Sequence, residues 1–335
     1  SVSERVQING QPLSEHEFVS LFEEFIELKV VRSMEITYFG LLVAFAYWVF
    51  AKKRVDYAVV EVGMGGKLDA TNIIGRPDKV CIITDIGLDH TKHLGESLSE
   101  IANQKAGIIG QDQHVFVSGQ DEQVMKVFRG VCEQENAELH VLFSEKVDPS
   151  IIDLPLFQQR NWSLAKLAFD FIAKRDGLFL ESNQIKESTT VNIPARMEEF
   201  RLKNKTILID GSDNSQKIGA LVSAIKQKYP NTKSAVLVSM VEGKDTTLED
   251  SLKALSQVAD TLIVTEFNSS QDVQRTALKT KVITDKASGV GLKNIIEIAN
   301  PEQAFKILLE QPEKLLIVTG SFFLLNHVRP SLLAS

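Results

Sequence analysis

Apolar residues recur at helical spacing near the start of the chain (Phe18, Leu21, Phe22, Phe25, Ile26), and Ser14 with Glu17 opens that run as a capping box. The pattern predicts an amphipathic helix packed on one face. Residues 36–51 are almost wholly apolar and precede Lys52, Lys53 and Arg54. A bilayer span needs about 20 such residues, and a strand-like run follows at once, so this stretch reads as a buried helix. Residues 55–62 (VDYAVVEV) and 80–84 (VCIIT) are short β-branched runs, the pattern of parallel strands covered on both faces. Ser97 and Glu100 form a second capping box before a helix running toward Lys105. Residues 114–118 and 138–143 read as strands around a helix at 122–132, and residues 162–174 as a further helix.

The polar stretch 181–192 (ESNQIKESTTVN) has no apolar period and reads as a linker. Beyond it, strands at 206–210, 234–240, 261–266 and 315–319 alternate with helical segments. Such alternation predicts an α/β fold of two units with right-handed crossovers, one over 1–187 and one over 191–335. The sequence shows no internal repeat and no low-complexity segment.

Composition narrows the function. The 335 residues are 44% hydrophobic and 24% charged, ordinary for a globular chain. A net charge of −7 argues against a nucleic-acid partner, which needs a basic face. Two cysteines exclude a disulfide framework and fit a reducing, cytoplasmic compartment. No signal peptide follows Ser1, and a start at Ser rather than Met suggests a chain that begins inside a longer product.

Three motifs could carry chemistry. In residues 61–72 (EVGMGGKLDATN) a strand ends in an acid, and Gly63, Gly65 and Gly66 then permit tight turns and close approach to a ligand. Ligands of α/β proteins bind at the carboxyl ends of strands, where Glu61 could hold Mg²⁺; a glycine-rich turn with a solvated Glu is the plain alternative. Residues 88–91 (LDHT) place His90 just past another strand end, as a ligand or as a solvated side chain. Residues 104–109 (QKAGII) carry Lys105, a counter-ion unless carbamylation turns its amine into an oxygen ligand.

Together and in this order, these motifs resemble the folylpolyglutamate synthase/dihydrofolate synthase family, a branch of the Mur ligases. The resemblance runs almost the whole length, through residues 1–15, 36–39, 157–161 (FQQRN), 194–198 (PARME), 209–214 (IDGSDN), 243–245 (GKD) and 318–321 (VTGS). It implies a Mur-ligase-type nucleotide-binding domain followed by a smaller Rossmann-like domain. It further implies that Glu61, His90 and carbamylated Lys105 hold Mg²⁺, two ions being expected. Asn161, Arg196 and Asp210 would contact ATP. Thr37, Tyr38, Phe39 and Gly40 would face the pterin with Leu68, Asp69 and Ala70. Elementary chemistry agrees for Arg196, a permanent cation suited to polyphosphate, and for Asp210, a strand-end carboxylate suited to ribose hydroxyls. For Asn161, a helix N-cap explains the residue equally well.

The implied reaction is ATP-dependent amide ligation: a folate or pteroate carboxylate is phosphorylated and the amine of L-glutamate displaces phosphate. The expected partners are therefore small molecules, with no membrane, and the chain is expected to be a monomer. Four departures from the family pattern stand out. The phosphate-binding loop, with its strand and helix, is expected upstream of Ser1, and the stretch between Phe143 and Phe157 is short. Asp213 stands where relatives carry a His near the nucleotide, and Gly40 where they often carry Glu. A non-catalytic folate- or nucleotide-binding relic is the rival reading. A dinucleotide oxidoreductase has no G-x-G-x-x-G to support it.

Overall fold

The computed structural model describes residues 2–33, 35–143, 148–191, 193–243, 247–269 and 275–334. Lys244 and Asp245 of the 243–245 motif, with Ser1 and Asn192, lie outside them. The chain divides into two compact units, Ser1–Val141 and Leu142–Ser335.

In the first unit a hairpin of β1 (Gln7–Ile8) and β2 (Gln11–Pro12) leads to α1 (Glu15–Ile26), α2 (Lys29–Arg32) and α3 (Tyr38–Lys53). The Ser14 hydroxyl accepts the Glu17 N–H and starts α1 at the expected place. Phe18, Phe22 and Phe25 of α1 surround Phe45 of α3 at ring distances of 5.2, 5.2 and 5.5 Å. Lys53 reaches back to Glu17 at 2.5 Å and Lys52 to Glu24, which clips the end of α3 to α1. The apolar run is thus a packed helix, and no described helix is long and apolar enough to cross a membrane.

There follow β3 (Val80–Ile83), α4 (Thr91–Leu94), α5 (Leu98–Ala106), β4 (His114–Ser118), α6 (Glu122–Gln134) and β5 (Glu138–Leu142). The strands form one sheet in the order β3-β4-β5, with β3 and β4 parallel. Val115 and Val117 of β4 pack on Ile101 and Ala106 of α5 and Phe128 and Cys132 of α6. The full capping box at Ser97 and Glu100 fixes the start of α5.

Residues 55–62 correct the expectation of a buried strand. They are extended but belong to no described sheet, and Val59 is 98% exposed. A strand buried on both faces needs covering layers and flanking strands, and among the described residues nothing supplies them here. Instead this segment lines an open groove of about 1040 Å³ together with the β1–β2 hairpin and α3.

The second unit begins with α7 (Leu156–Asp176) and α8 (Ser182–Ser188). The expected linker is therefore partly helical, nucleated by a capping box of Glu181 and Gln184 rather than by an apolar face. Asn161 lies inside α7, whose N-cap is Pro155, so the capping explanation of Asn161 is overturned. Compactness divides the chain ahead of the 187/191 boundary because α7 packs on the helix at Ser215–Lys228.

The unit continues with β6 (Glu198–Leu202), β7 (Lys205–Ile209), α9 (Ser215–Lys228), β8 (Ser234–Val238), α10 (Leu248–Leu255) and β9 (Ala259–Val264). After the short β10 (Asn268–Ser269) and β11 (Arg275–Thr276) come α11 (Thr280–Gly289), β12 (Ile295–Glu297), α12 (Pro301–Glu310), β13 (Leu315–Thr319) and α13 (Phe322–Leu333). The sheet order is β12-β9-β8-β13-β7-β6, parallel except for the edge strand β6. Alternate strand residues feed two cores: Leu208, Val236 and Ile317 face α9–α11, whereas Ile207, Leu237 and Val318 face α12 and α13. The chain steps outward from β7 to β12, then returns to insert β13 between β7 and β8. This is a doubly wound α/β unit whose reversal lies beside the carboxyl ends of β7 and β13.

Cys81 and Cys132 are both buried, and burial, aided by the neighbouring Cys81, pushes the Cys132 thiol up to about 11. Neither cysteine should react with iodoacetamide at pH 8 in the native protein, and both should react after denaturation. Native-state alkylation of Cys132, read by mass spectrometry, would contradict this packing.

Candidate active site

In the first unit the glycine-rich loop is wedged among three helix ends. Gly65 (φ +73°) lies against Leu94 at the end of α4, and Gly66 (φ +155°) against the carbonyls of Gln104 and Lys105 in α5. A Cβ on Gly66 would sit 2.8 Å from the Gln104 oxygen, so only glycine fits. The Lys67 N–H donates to that oxygen at 2.8 Å, and Asn72 Nδ2 donates to the Gly107 carbonyl at 2.8 Å. The loop therefore satisfies carbonyls at the carboxyl end of α5 that would otherwise face solvent.

Each sequence candidate can be placed on this frame. Glu61 lies on the groove wall two residues before Gly63. His90 adopts φ +50° as the N-cap of α4, and its N–H donates to Asp89 Oδ1 at 2.9 Å. Lys105 is in the last turn of α5, directly behind Gly66. Leu94, at the end of the helix that His90 opens, and the carboxyl end of α5 meet the chain that runs on from Glu61 at Gly65 and Gly66.

The residues expected at the pterin divide into builders and exposed faces. The Thr37 hydroxyl accepts the Gly40 N–H and caps α3, and the Phe39 ring abuts Gly63. Asp69 is occupied within the loop: Oδ1 accepts the Thr71 N–H and hydroxyl, and Oδ2 accepts the Met64 N–H at 2.8 Å. Tyr47 locks the same turn by donating to the Thr71 carbonyl. Leu68 is 90% exposed and Ala70 half-buried beside it, while Tyr38 and Phe39 expose aromatic surface.

In the second unit, Ala195 and Met197 both take left-handed backbone (φ +59° and +52°) and hold Arg196 between them. Two carboxylates fix this turn. Glu198 accepts the Ala195 N–H, and Asp210 accepts the Met197 N–H with Oδ2 and the Ser212 N–H and hydroxyl with Oδ1. Glu198 is itself gripped by both arms of Arg329 at 2.9 Å. The Arg196 guanidinium lies 4.6 Å over the Phe322 ring, which in turn seats against Gly211. Asp210 thus acts as an anchor for the arginine turn. Asp213 pairs with Lys217 at 2.8 Å, and Asn161 is exposed on α7.

Sequence reasoning gave no role to Glu198, Ser212 or Phe322. The run of buried polar residues at 210, 212 and 214 between a strand and a helix was the available signal.

Residues 195–322 match the family described as Mur ligase, glutamate ligase domain. Dihydrofolate synthetase of Saccharomyces cerevisiae is 30% identical over 292 residues, covering 80% of this chain and 68% of that protein. Dihydrofolate synthase/folylpolyglutamate synthase of Bacillus subtilis is 26% identical over 363 aligned positions, covering 98% of this chain and 81% of that protein. Mycobacterium tuberculosis folylpolyglutamate synthase, solved with ADP and AMPPCP, superposes with a TM-score of 0.81 at 26% identity. That match covers 98% of this chain and 82% of the other.

Two expectations test the loop. Gly66→Ala should destabilise the first unit by about 1–3 kcal/mol, because the turn must move off the α5 carbonyls; an unchanged melting midpoint would show that the loop floats free. Burial, the largest influence, pushes the Asp69 carboxyl up, but the hydrogen bonds from Thr71, Met64 and Gly63 outweigh it and hold Asp69 below its ordinary 3.8. Its stabilisation is therefore full above that value and is lost as pH falls through the folded value. Amide exchange at Met64 and Thr71 should accelerate over that acid window, and Asp69→Asn should remove the pH dependence.

Proposed function

The chain belongs to the folylpolyglutamate synthase/dihydrofolate synthase family, Mur-type ligases that join glutamate to folates at the expense of ATP, and from that premise we propose that it forms this amide through an acyl phosphate. The observation that carries the reading is the meeting of the glycine loop with Leu94, which closes the short helix that His90 caps, and with the end of α5 at Gly65 and Gly66.

In the proposed reaction a carboxylate oxygen of tetrahydrofolate or dihydropteroate attacks the γ-phosphorus of ATP. The bond from that phosphorus to the bridging oxygen breaks and ADP leaves. The α-amine of L-glutamate then attacks the acyl carbon and loses a proton. Phosphate departs with one former carboxylate oxygen.

Glu61, His90 and Lys105 would hold the Mg²⁺ ions, two in this reading. When bound, Mg²⁺ neutralises charge on the transferring phosphoryl group. The donor set fits a hard cation if Lys105 is a carbamate, since two of the three groups then offer oxygen. The position of Lys105 adds a condition. The carboxyl end of α5 is the negative pole of the helix and favours the free ammonium. Carbamylation places an anion there, so it needs a metal cation beside it.

Arg196, aimed by its strained turn and Phe322, is the cation for the nucleotide phosphates, with Asp210 as its positioning residue. Asn161 and Asp213 belong to the same nucleotide-facing set in this reading. Exposed Tyr38, Phe39 and Leu68 offer apolar surface to a pterin, and Thr37, Asp69 and Ala70 shape that surface.

The test uses protein made from the complete reading frame, assayed for ATP- and glutamate-dependent extension of tetrahydrofolate and dihydropteroate. With ¹⁸O in the acceptor carboxylate, one label should appear in phosphate. Glu61→Gln and His90→Ala should each lower kcat by about 10²–10³-fold. In ¹³C-bicarbonate a carbamate resonance should appear only when Mg²⁺ is present, and should vanish in Lys105→Arg. Phosphate free of label would overturn the acyl phosphate. Folate or nucleotide binding with no glutamate transfer would identify the non-catalytic relative instead.

A further inference from the structure

We propose that His114, Glu138 and His140 form a site for a borderline divalent transition metal, Zn²⁺ foremost, at the end of the three-stranded sheet away from His90. None of the three belongs to a motif used above. His114 opens β4, and Glu138 opens β5. Glu138 and His140 stand two apart on β5 and so share one face of it. His90 follows the carboxyl end of β3, which runs parallel to β4, so a cluster at the start of β4 lies at the opposite sheet end.

The distances suit a metal, and of the three contacts only the one between the imidazoles is a hydrogen bond. His114 Nδ1 lies 3.1 Å from His140 Nε2 and 3.5 Å from Glu138 Oε2, and His140 Nε2 lies 3.5 Å from the other Glu138 oxygen, Oε1. Charge-assisted N–H···O bonds are shorter, about 2.7–2.9 Å, so neither Glu138 contact is a good one. Zinc–nitrogen bonds of about 2.0–2.1 Å arranged tetrahedrally put neighbouring donors about 3.3–3.4 Å apart, close to the 3.1 Å between the two nitrogens, and one ligand atom from each of the three residues lies within 4.8 Å of the others. Two imidazoles and one carboxylate suit Zn²⁺ and its transition-metal neighbours rather than Mg²⁺.

The site is also held in shape. The buried Phe116 ring stacks on His140 at 4.4 Å and 9°, which fixes the imidazole plane. The imidazoles are about one-quarter exposed and Glu138 is 65% exposed, which gives an ion a path in and leaves a fourth position for water. A bound ion would clip the edge strand β5 to β4.

The experiment titrates chelator-treated full chain with Co²⁺, followed by visible absorption, and with Zn²⁺, followed by calorimetry and melting midpoint. One equivalent should bind, Co²⁺ should show the strong bands of a tetrahedral site, and Zn²⁺ should raise the midpoint. His114→Gln and His140→Gln should weaken Zn²⁺ by more than the roughly 10–100-fold that loss of an outer-shell partner costs. Glu138→Gln alters an exposed side chain and leaves the fold intact, and it should weaken binding in the same sense. The double change Glu61→Gln, His90→Ala should leave this titration untouched. Octahedral Co²⁺ spectra, unchanged affinity in Glu138→Gln, or a signal that follows Glu61 and His90 would each overturn the proposal.

Discussion

The contact on which the first unit's chemistry depends is the approach of the Gly66 backbone to the Gln104 and Lys105 carbonyls. Those carbonyls sit at the negative pole of α5, and the Lys67 N–H and Asn72 amide group partly satisfy that pole. The same loop descends from Glu61, and the turn packed on Gly65 descends from His90. In the proposed reading, Glu61, His90 and Lys105 lie on the segments around this helix end, whose polarity disfavours further negative charge. A carbamate on Lys105 would place an anion at that pole, which makes metal occupancy and carbamate formation one coupled event in the proposed mechanism.

The second unit solves the opposite problem, presenting a cation. Two left-handed non-glycine positions flanking one residue are costly, about 1–2 kcal/mol each. Here the cost is met by buried hydrogen bonds: Ala195 N–H to Glu198 and Met197 N–H to Asp210. Hydrogen bonds to charged groups are worth about 1.5–3 kcal/mol each, enough to offset the strain. Arg329 keeps Glu198 ionised; its hydrogen bonds, with that of Ala195, outweigh the upward push of burial. Arg196 needs no anionic partner of its own to be aimed, because the Phe322 face and the rigid turn do that.

Periodicity and caps made most of the architecture legible. Ser97 with Glu100, the aromatic spacing from Phe18 to Phe25, and β13 at 315–319 agree with the structure residue for residue. Patterns that depend on distant partners were less readable. Residues 55–62 have every local mark of a buried strand, yet a strand is made by its neighbours, and none stands beside it among the described residues. The helix α8 was hidden for the reverse reason: it has no buried face, so no apolar period announced it. At the site, glycines and charged residues were visible because their types are chemically unusual after a strand. Phe322 and Glu198 were not, since an aromatic and an acid in a folded chain have many ordinary uses.

Asp213 shows how a neighbour changes what a residue means. Read alone, a carboxylate in place of an imidazole repels an approaching anion by about 1 kcal/mol at 5 Å in water. In the folded chain its partner is Lys217, one helical turn on, with the ammonium 2.8 Å away. The field of such a pair falls off faster than that of a single charge, so an anion several ångströms away meets little of Asp213. Asn214, the N-cap between Asp213 and α9, accepts the Lys217 N–H and starts the helix at that point. The carboxylate is thus absorbed locally into the helix start, and in the proposed reading the cation offered to a phosphate is the guanidinium of Arg196, held over Phe322.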